Sequence, residues 1–368
     1  MRICFTLGMA LAESGITKVV INLANLLAQQ DLDYEVHLLC IADSSEIARL
    51  DINKNIILES FYKQKNKYSC YIGAACGIHK YCLEKKIQAL VISGMEWVPF
   101  YFLGLRGVSV SVYAWEHLNF KAGPKFRLEW IGKRLACRYS KGIINITKKD
   151  QAMYRTYSAQ AKLYQIYNIC GVDKCYQNYN QHSKKIISVG YLASIKGFDM
   201  LIDVAKKVLP QYPEWSWDIY GEGDMRMQLQ ESIDRLQLQK QLHLMGYHEN
   251  LNELYKEYGF YVMTSRAEGF GMVLMEAQKS GLPIVSFDIP CGPSDTIINE
   301  KNGYLIPPFD KDEMARKILE LIQNVDLRIQ FSQNADCCHR EMQNEYILEA
   351  WHSMLADGKE QNEEDIFL

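Results

Sequence analysis

The sequence predicts a doubly wound α/β fold in two halves, and three observations predict it. Short apolar runs alternate with helical patterns along most of the chain. Several of these runs end in glycine-bearing turns that open a helix, the order expected of parallel sheets. A polar stretch rich in Asn, Gln and Tyr, from Asp173 to Lys184, separates two such series and marks a hinge.

In the first series Ile3 to Leu7 is a buried strand, followed by a loop with Gly15 and a helical run from Thr17 to Gln29. Val36 to Ile41, Ala89 to Ser93, Val108 to Ala114, Ile143 to Thr147 and Tyr164 to Tyr167 read as further strands. The second series runs through Lys185 to Gly190, Trp217 to Tyr220, Leu242 to Met245, Gly259 to Thr264 and Ile284 to Phe287. A last helix covers about Glu345 to Leu355, and the acidic stretch Asp357 to Asp365 reads as disordered. The expected division is 1–176, 177–344, a terminal helix at 345–358 and a tail at 359–368.

Composition limits the functional classes. A chain of 368 residues holds two cores of ordinary size. A net charge of −3 argues against a general nucleic-acid binder. The 11 cysteines are irregularly spaced, with Cys337 and Cys338 the one close pair, so they form no zinc pattern and read as reduced and cytosolic. The first residues lack a signal peptide's apolar core, and no run reaches the ~20 apolar residues of a spanning helix. A cytoplasmic protein is expected, with any membrane contact peripheral.

The most informative segment is 264 to 277. Glu268 and Glu276 stand eight residues apart, with Gly269, Phe270 and Gly271 following the first acid. A strand ends at Thr264, and a helix over Val273 to Lys279 is stopped by Gly281 and Pro283. Small residues before a helix start suit a diphosphate, which approaches the backbone and the first helical N–H groups. Carboxylates do not suit a diphosphate, but they accept hydrogen bonds from sugar hydroxyls. A surface Glu before a buried helix, with a second Glu by coincidence, is the plainer alternative.

Other segments bear on that choice. Residues 187 to 199 read Ile-Ser-Val-Gly-Tyr-Leu-Ala-Ser-Ile-Lys-Gly-Phe-Asp, a strand, a loop and a helix start near Phe198. Residues 217 to 224 end a strand in Gly221-Glu222-Gly223, and Gly292-Pro293-Ser294 follows the strand at 284–287. In this order, a Lys-Gly loop, a Gly-Glu-Gly turn, a Glu-x7-Glu motif and a Gly-Pro-Ser segment resemble the donor half of retaining glycosyltransferases. The family is group 1, family four, with the GT-B fold. The match is close over about 183 to 310 and loose elsewhere.

The resemblance implies two Rossmann-like doubly wound domains facing a central cleft, the first for the acceptor and the second for a nucleotide sugar. It also implies that the last helix packs back on the first domain. Glu276 is expected on the ribose hydroxyls of a UDP-linked donor, and Glu268 on the transferred sugar. The backbone of Gly269, Phe270 and Gly271, with Lys196, would meet the diphosphate, and Tyr247 would lie beside the base. Where the family places an Arg after its first glycine, this chain has Tyr191. Arg266 is the replacement considered, with a solvated surface arginine as the other reading. Gly15, in Glu13-Ser14-Gly15-Ile16-Thr17, resembles the family's glycine loop, although the family often has two glycines there. Retention of configuration, no catalytic metal and no cofactor are implied.

On the first half, Trp115-Glu116-His117-Leu118-Asn119 ends a strand, and a family His in this region lies close to the transferred sugar. His117 is the candidate catalytic residue there, with Glu116 and Asn119 on the acceptor side. A lone His is otherwise structural. Residues 121–141 hold Lys121, Lys125, Arg127, Lys133, Arg134, Arg138 and Lys141 against one acid, Glu129. A helix opened by Pro124 with this basic face suits an anionic membrane or a polyprenyl-diphosphate-linked acceptor, or else simply packs internally. The expected activity is hexosyl transfer to a glycan or lipid-linked acceptor in bacterial-type surface polysaccharide assembly. An epimerase of the same fold and a non-catalytic nucleotide-sugar binder are the alternatives.

Overall fold

The computed structural model describes residues 1–8, 14–30, 34–41, 44–45, 47–61, 67–121, 127–157, 160–171, 179–248, 250–335 and 340–360. The chain divides into two compact units. The first comprises Met1–Gly171 and Glu341–Leu368, the second Val172–Arg340. Residues 341–344, assigned to the second half from sequence, therefore belong to the first.

The first unit is a parallel sheet of β1 (Arg2–Leu7), β2 (Glu35–Cys40), β3 (Ile57–Ser60), β4 (Ala89–Ser93), β5 (Ser111–Glu116), β6 (Gly142–Asn145) and β7 (Lys162–Gln165). Its strand order is β3-β2-β1-β4-β5-β6-β7. The helices are α1 (Gly15–Gln30), α2 (Lys67–Lys85), α3 (Val98–Gly104), α4 (Leu128–Tyr139) and α5 (Lys148–Arg155). The strand expected at 108–114 lies at 111–116. Val108 and Val110 are buried, but they belong to the turn after α3, where the Val108 N–H donates to the Leu105 carbonyl.

The second unit is also a parallel sheet, of β8 (Lys185–Val189), β9 (Ser216–Tyr220), β10 (Leu242–Gly246), β11 (Phe260–Met263), β12 (Ile284–Phe287) and β13 (Gly303–Ile306). The order is β10-β9-β8-β11-β12-β13. Its helices are α6 (Phe198–Val208), α7 (Arg226–Arg235), α8 (Leu251–Tyr255), α9 (Met272–Lys279), α10 (Pro293–Thr296), α11 (Lys311–Gln323) and α12 (Val325–Gln333). One continuous core joins the apolar face of α6 to β8, β9 and β11 and reaches α11. No helix among the described residues is long and apolar enough to cross a membrane.

The last helix, α13 (Asn344–Glu360), completes the first unit. Trp351 is buried edge-on against Phe5 at 5.7 Å and Trp115 at 4.9 Å between ring centroids. The Tyr113 hydroxyl donates to the Met354 carbonyl, and Tyr34 bonds His352. Asp357, read from sequence as part of a disordered tail, is instead in α13 and pairs with Lys162 at 2.6 Å. Residues 361–368 lie outside the described residues.

Because Trp351 fills a site between β1 and β5, Trp351→Ala should destabilise the first unit by about 3–5 kcal/mol. The measurement is the urea midpoint, with the slope unchanged.

Candidate functional site

In the second sheet β8 and β11 are neighbours, yet the chain leaves β8 toward β9 on one side and β11 toward β12 on the other. Connections that diverge in this way open a crevice at the carboxyl ends of the two strands. The loops that border it are 190–197 and 264–271.

The two loops are fastened together backbone to backbone. The Arg266 N–H donates to the Ile195 carbonyl at 2.7 Å, and Thr264 Oγ1 to the Lys196 carbonyl at 3.3 Å. Gly197 has φ +67°, and a Cβ there would collide with the Thr264 carbonyl oxygen, so only glycine fits. Below, the Gly221 backbone abuts the Gly190 carbonyl with equally little room. The Gly-Glu-Gly turn is thus a support for the 190–192 loop.

This fastening brings Lys196 onto Glu268. The ammonium lies 2.6 and 2.8 Å from the two carboxylate oxygens, and Ser265 Oγ donates to Oε1 at 2.7 Å. Glu268 is 8% exposed and Lys196 24%, so water only partly screens the pair. Glu276 lies further along α9 and accepts from the Tyr255 hydroxyl at 3.3 Å. Tyr261, on β11, donates to the Val189 carbonyl. Burial raises its phenol pKa, and the charges of Glu268 and Glu276 raise it further, so the fields of both acids meet at this ring.

Gly269 is half-buried, and the Phe270 carbonyl is packed against Gly292. Gly271, at φ +83°, starts α9, whose first turn carries no acid. The positive end of this helix therefore faces the loop without a competing carboxylate. Tyr247 is half-exposed just after β10, and Tyr191 is exposed with its hydroxyl 3.5 Å from Asp224.

Arg266 is engaged by a neighbouring carboxylate. Its guanidinium holds both oxygens of Asp199, at 2.8 and 2.6 Å, and the Ser194 carbonyl at 2.6 Å. Asp199 is held below the usual carboxylate range by that bond. Sequence reading overlooked Asp199, Ser265, Tyr255 and Tyr261. The Ser before the arginine was the available signal for Ser265. The tyrosines carry none, because each reads as ordinary core.

On the first unit Gly15 opens α1, exposed and with open space around it. Glu13 lies outside the described residues. At the end of β5, Glu116 turns inward and is buried. It accepts from the Leu118 N–H, from the Tyr154 hydroxyl at 2.6 Å and from Lys133 Nζ at 3.2 Å. Lys133 is 2% exposed and also donates to the Asn119 and Phe120 carbonyls. Asn119 is buried as well, with its side-chain oxygen accepting from the Lys121 N–H. Asp150 fixes the same loop by accepting from the Phe120 N–H at 2.7 Å. Loop 117–121 is therefore bound from beneath by a charged network.

His117 rests on Trp115 with ring centroids 4.4 Å apart. Burial pushes its pKa down to about 3, so the imidazole is neutral at physiological pH. Its Nε2 is buried with no hydrogen-bond partner among the described residues.

The basic face expected over 121–141 changes in character. Helix α4 starts at Leu128, while Pro124, Lys125 and Phe126 lie outside the described residues. Lys133 points into the protein because Glu116 and two carbonyls need its charge. Arg127, Arg134 and Arg138 are exposed, and Ile131 lies among them at 48% exposure.

Two doubly wound parallel sheets of this kind define a protein of the GT-B fold. TarM of S. aureus, solved in complex with UDP and alpha-GlcNAc-glycerol, matches at TM-score 0.83 and 18% identity over 96% of this chain and 99% of that one. Residues 176–336, nearly all of the second unit, match the family model of the glycosyl transferases group 1. An uncharacterized glycosyltransferase of Haemophilus influenzae is 26% identical over 93% of this chain and 96% of its own. The UDP-N-acetylglucosamine–peptide N-acetylglucosaminyltransferase GtfA subunit of Streptococcus agalactiae is 38% identical over 184 residues. That stretch is 47% of this chain and about a third of the GtfA subunit, 36%.

Lys133→Ala would leave the buried Glu116 charge without its cation. A loss of about 3–5 kcal/mol is expected in chemical denaturation. Asp150 gives a pH signature. Burial, then the Glu116 charge, pushes its pKa from 3.8 up to about 7. Across that interval the folded chain keeps a proton that the unfolded chain has released, so this contribution to stability falls as pH rises. Asp150→Asn should flatten that slope in melting temperatures recorded from pH 4 to 7.

Proposed function

We propose that the protein is a retaining hexosyltransferase that takes a sugar, with N-acetylglucosamine the first candidate, from a UDP-linked donor. The acceptor is a glycan or a lipid-linked saccharide of a bacterial-type surface polysaccharide, handled on the cytoplasmic side. The observation that carries the reading is the Lys196–Glu268 pair at the mouth of β8 and β11, with Glu276 along the helix that begins between them. The UDP-N-acetylglucosamine named for the GtfA subunit and the UDP and alpha-GlcNAc-glycerol bound to TarM support the donor class.

Each group then has one task. A bound donor separates the pair: Lys196 turns to the diphosphate, and Glu268, still held by Ser265, accepts from hydroxyls of the transferred sugar. Glu276 takes the ribose hydroxyls. The backbone at Gly269, Phe270 and Gly271 and the positive end of α9 stabilise the charge that develops on the leaving diphosphate. The bond from the anomeric carbon to the diphosphate breaks, and the acceptor oxygen takes its place on the same face. The acceptor's proton ends on the released nucleoside diphosphate. His117, neutral and with no partner for Nε2 among the described residues, suits a hydrogen bond from a sugar hydroxyl rather than proton donation.

The acceptor side draws on the first unit. Two hollows of about 260 and 630 Å³ share Phe120, Trp130 and Tyr157 and border Arg134, Arg138 and Lys121. Aromatic rings beside guanidinium groups suit an anionic lipid surface or a lipid diphosphate.

Calorimetric titration with UDP, GDP and ADP tests the donor site, with UDP expected to bind and the others not. Glu276→Ala should raise the donor KM roughly tenfold through lost charge-assisted hydrogen bonds. Glu268→Ala should mainly lower kcat, by about a hundredfold. Transfer at the wild-type rate by both variants would remove the two-carboxylate assignment.

A further inference from the structure

We propose that Arg266 and Asp199 form a positioning device for Lys196, one that sets where the ammonium meets a bound diphosphate. The inference rests on the reading of this crevice as a nucleoside diphosphate-sugar site.

Lys196 is bracketed by tied residues. Ser194 and Ile195 precede it, and their carbonyls accept from the guanidinium and the backbone N–H of Arg266. Asp199 follows it in the first turn of α6, and its two oxygens take the two forks of the same guanidinium. One residue of the β11 loop thus grips the β8 loop on both sides of its lysine. Two positions beyond Arg266 stands Glu268, so the lysine and its carboxylate partner are placed by a single short segment.

The chemistry fits positioning better than stability. The pair is 36% and 44% exposed, a setting in which ion pairs add little to folding. A planar guanidinium that binds two carboxylate oxygens and a carbonyl at once instead fixes direction, which a lysine ammonium does not do. Placement matters here because Lys196 is the one cation in the 190–197 loop, Tyr191 being uncharged. Where a single ammonium faces a diphosphate, its location has no second charge to correct it.

The test compares UDP with uridine by calorimetry on the full chain. The proteins are wild type, Arg266→Gln, Lys196→Gln and the double variant, with melting temperatures recorded for each. Arg266→Gln is expected to weaken UDP about tenfold and leave uridine unchanged, in line with loss of one charge-assisted contact. The double variant should bind UDP no more weakly than Lys196→Gln alone, because the arginine acts through the lysine. Asp199→Asn should reproduce the effect of Arg266→Gln, and Arg266→Lys should recover only part of it. Additive losses in the double variant, an equal loss for uridine, or unchanged UDP affinity in both Arg266→Gln and Asp199→Asn would overturn the proposal. Wild-type protein with no affinity for UDP would overturn the donor-site reading and this inference with it, a result distinct from the other three.

Discussion

The site in the second unit depends on how closely two backbones approach where β8 and β11 part company. Parallel pairing puts these strands side by side, but nothing in the sheet itself aligns the loops beyond them. That alignment comes from carbonyl oxygens packed where a Cβ would otherwise stand, Thr264 against Gly197 and Gly190 against Gly221. With the backbones in contact, short polar side chains suffice to fix the rest: Thr264 on the Lys196 carbonyl, Ser265 on Glu268. The charged pair is a consequence of this packing, since neither side chain would find the other if the loops stood a few ångströms apart.

The two units manage charge in opposite ways. In the first, Glu116, Lys133 and Asp150 are enclosed and satisfy backbone groups of loop 117–121, so exchanging any of them for a ligand would unmake the loop. In the second, Lys196 and Glu268 neutralise each other at a partly open surface.

Most of the fold was legible because parallel strands buried on both faces read as plain apolar runs. Two of the four edge strands, β3 and β13, escaped notice, whereas β7 and β10 were read as strands. β3 is half-buried along its whole length and so shows no plain apolar run. At the site, the paired acids, the lysine and the glycine turn stood out because their chemistry is carried by residue type and spacing. The partners of Arg266, Glu116 and Lys133 were not legible for one reason: sequence marks a charge but not its counter-charge. Asp199 is 67 positions from Arg266, and Lys133 is 17 from Glu116, so their pairing exists only in the folded chain.

The return of α13 to the first sheet has a consequence for biogenesis. The unit that begins the chain lacks Trp351 until the second unit and its connection have been made, and Trp351 covers the rings of Phe5 and Trp115. On the ribosome the order of synthesis and the order of completion therefore differ: the segment made first is the last to be closed. Through that interval the apolar surface beside Phe5 and Trp115 lacks its cover.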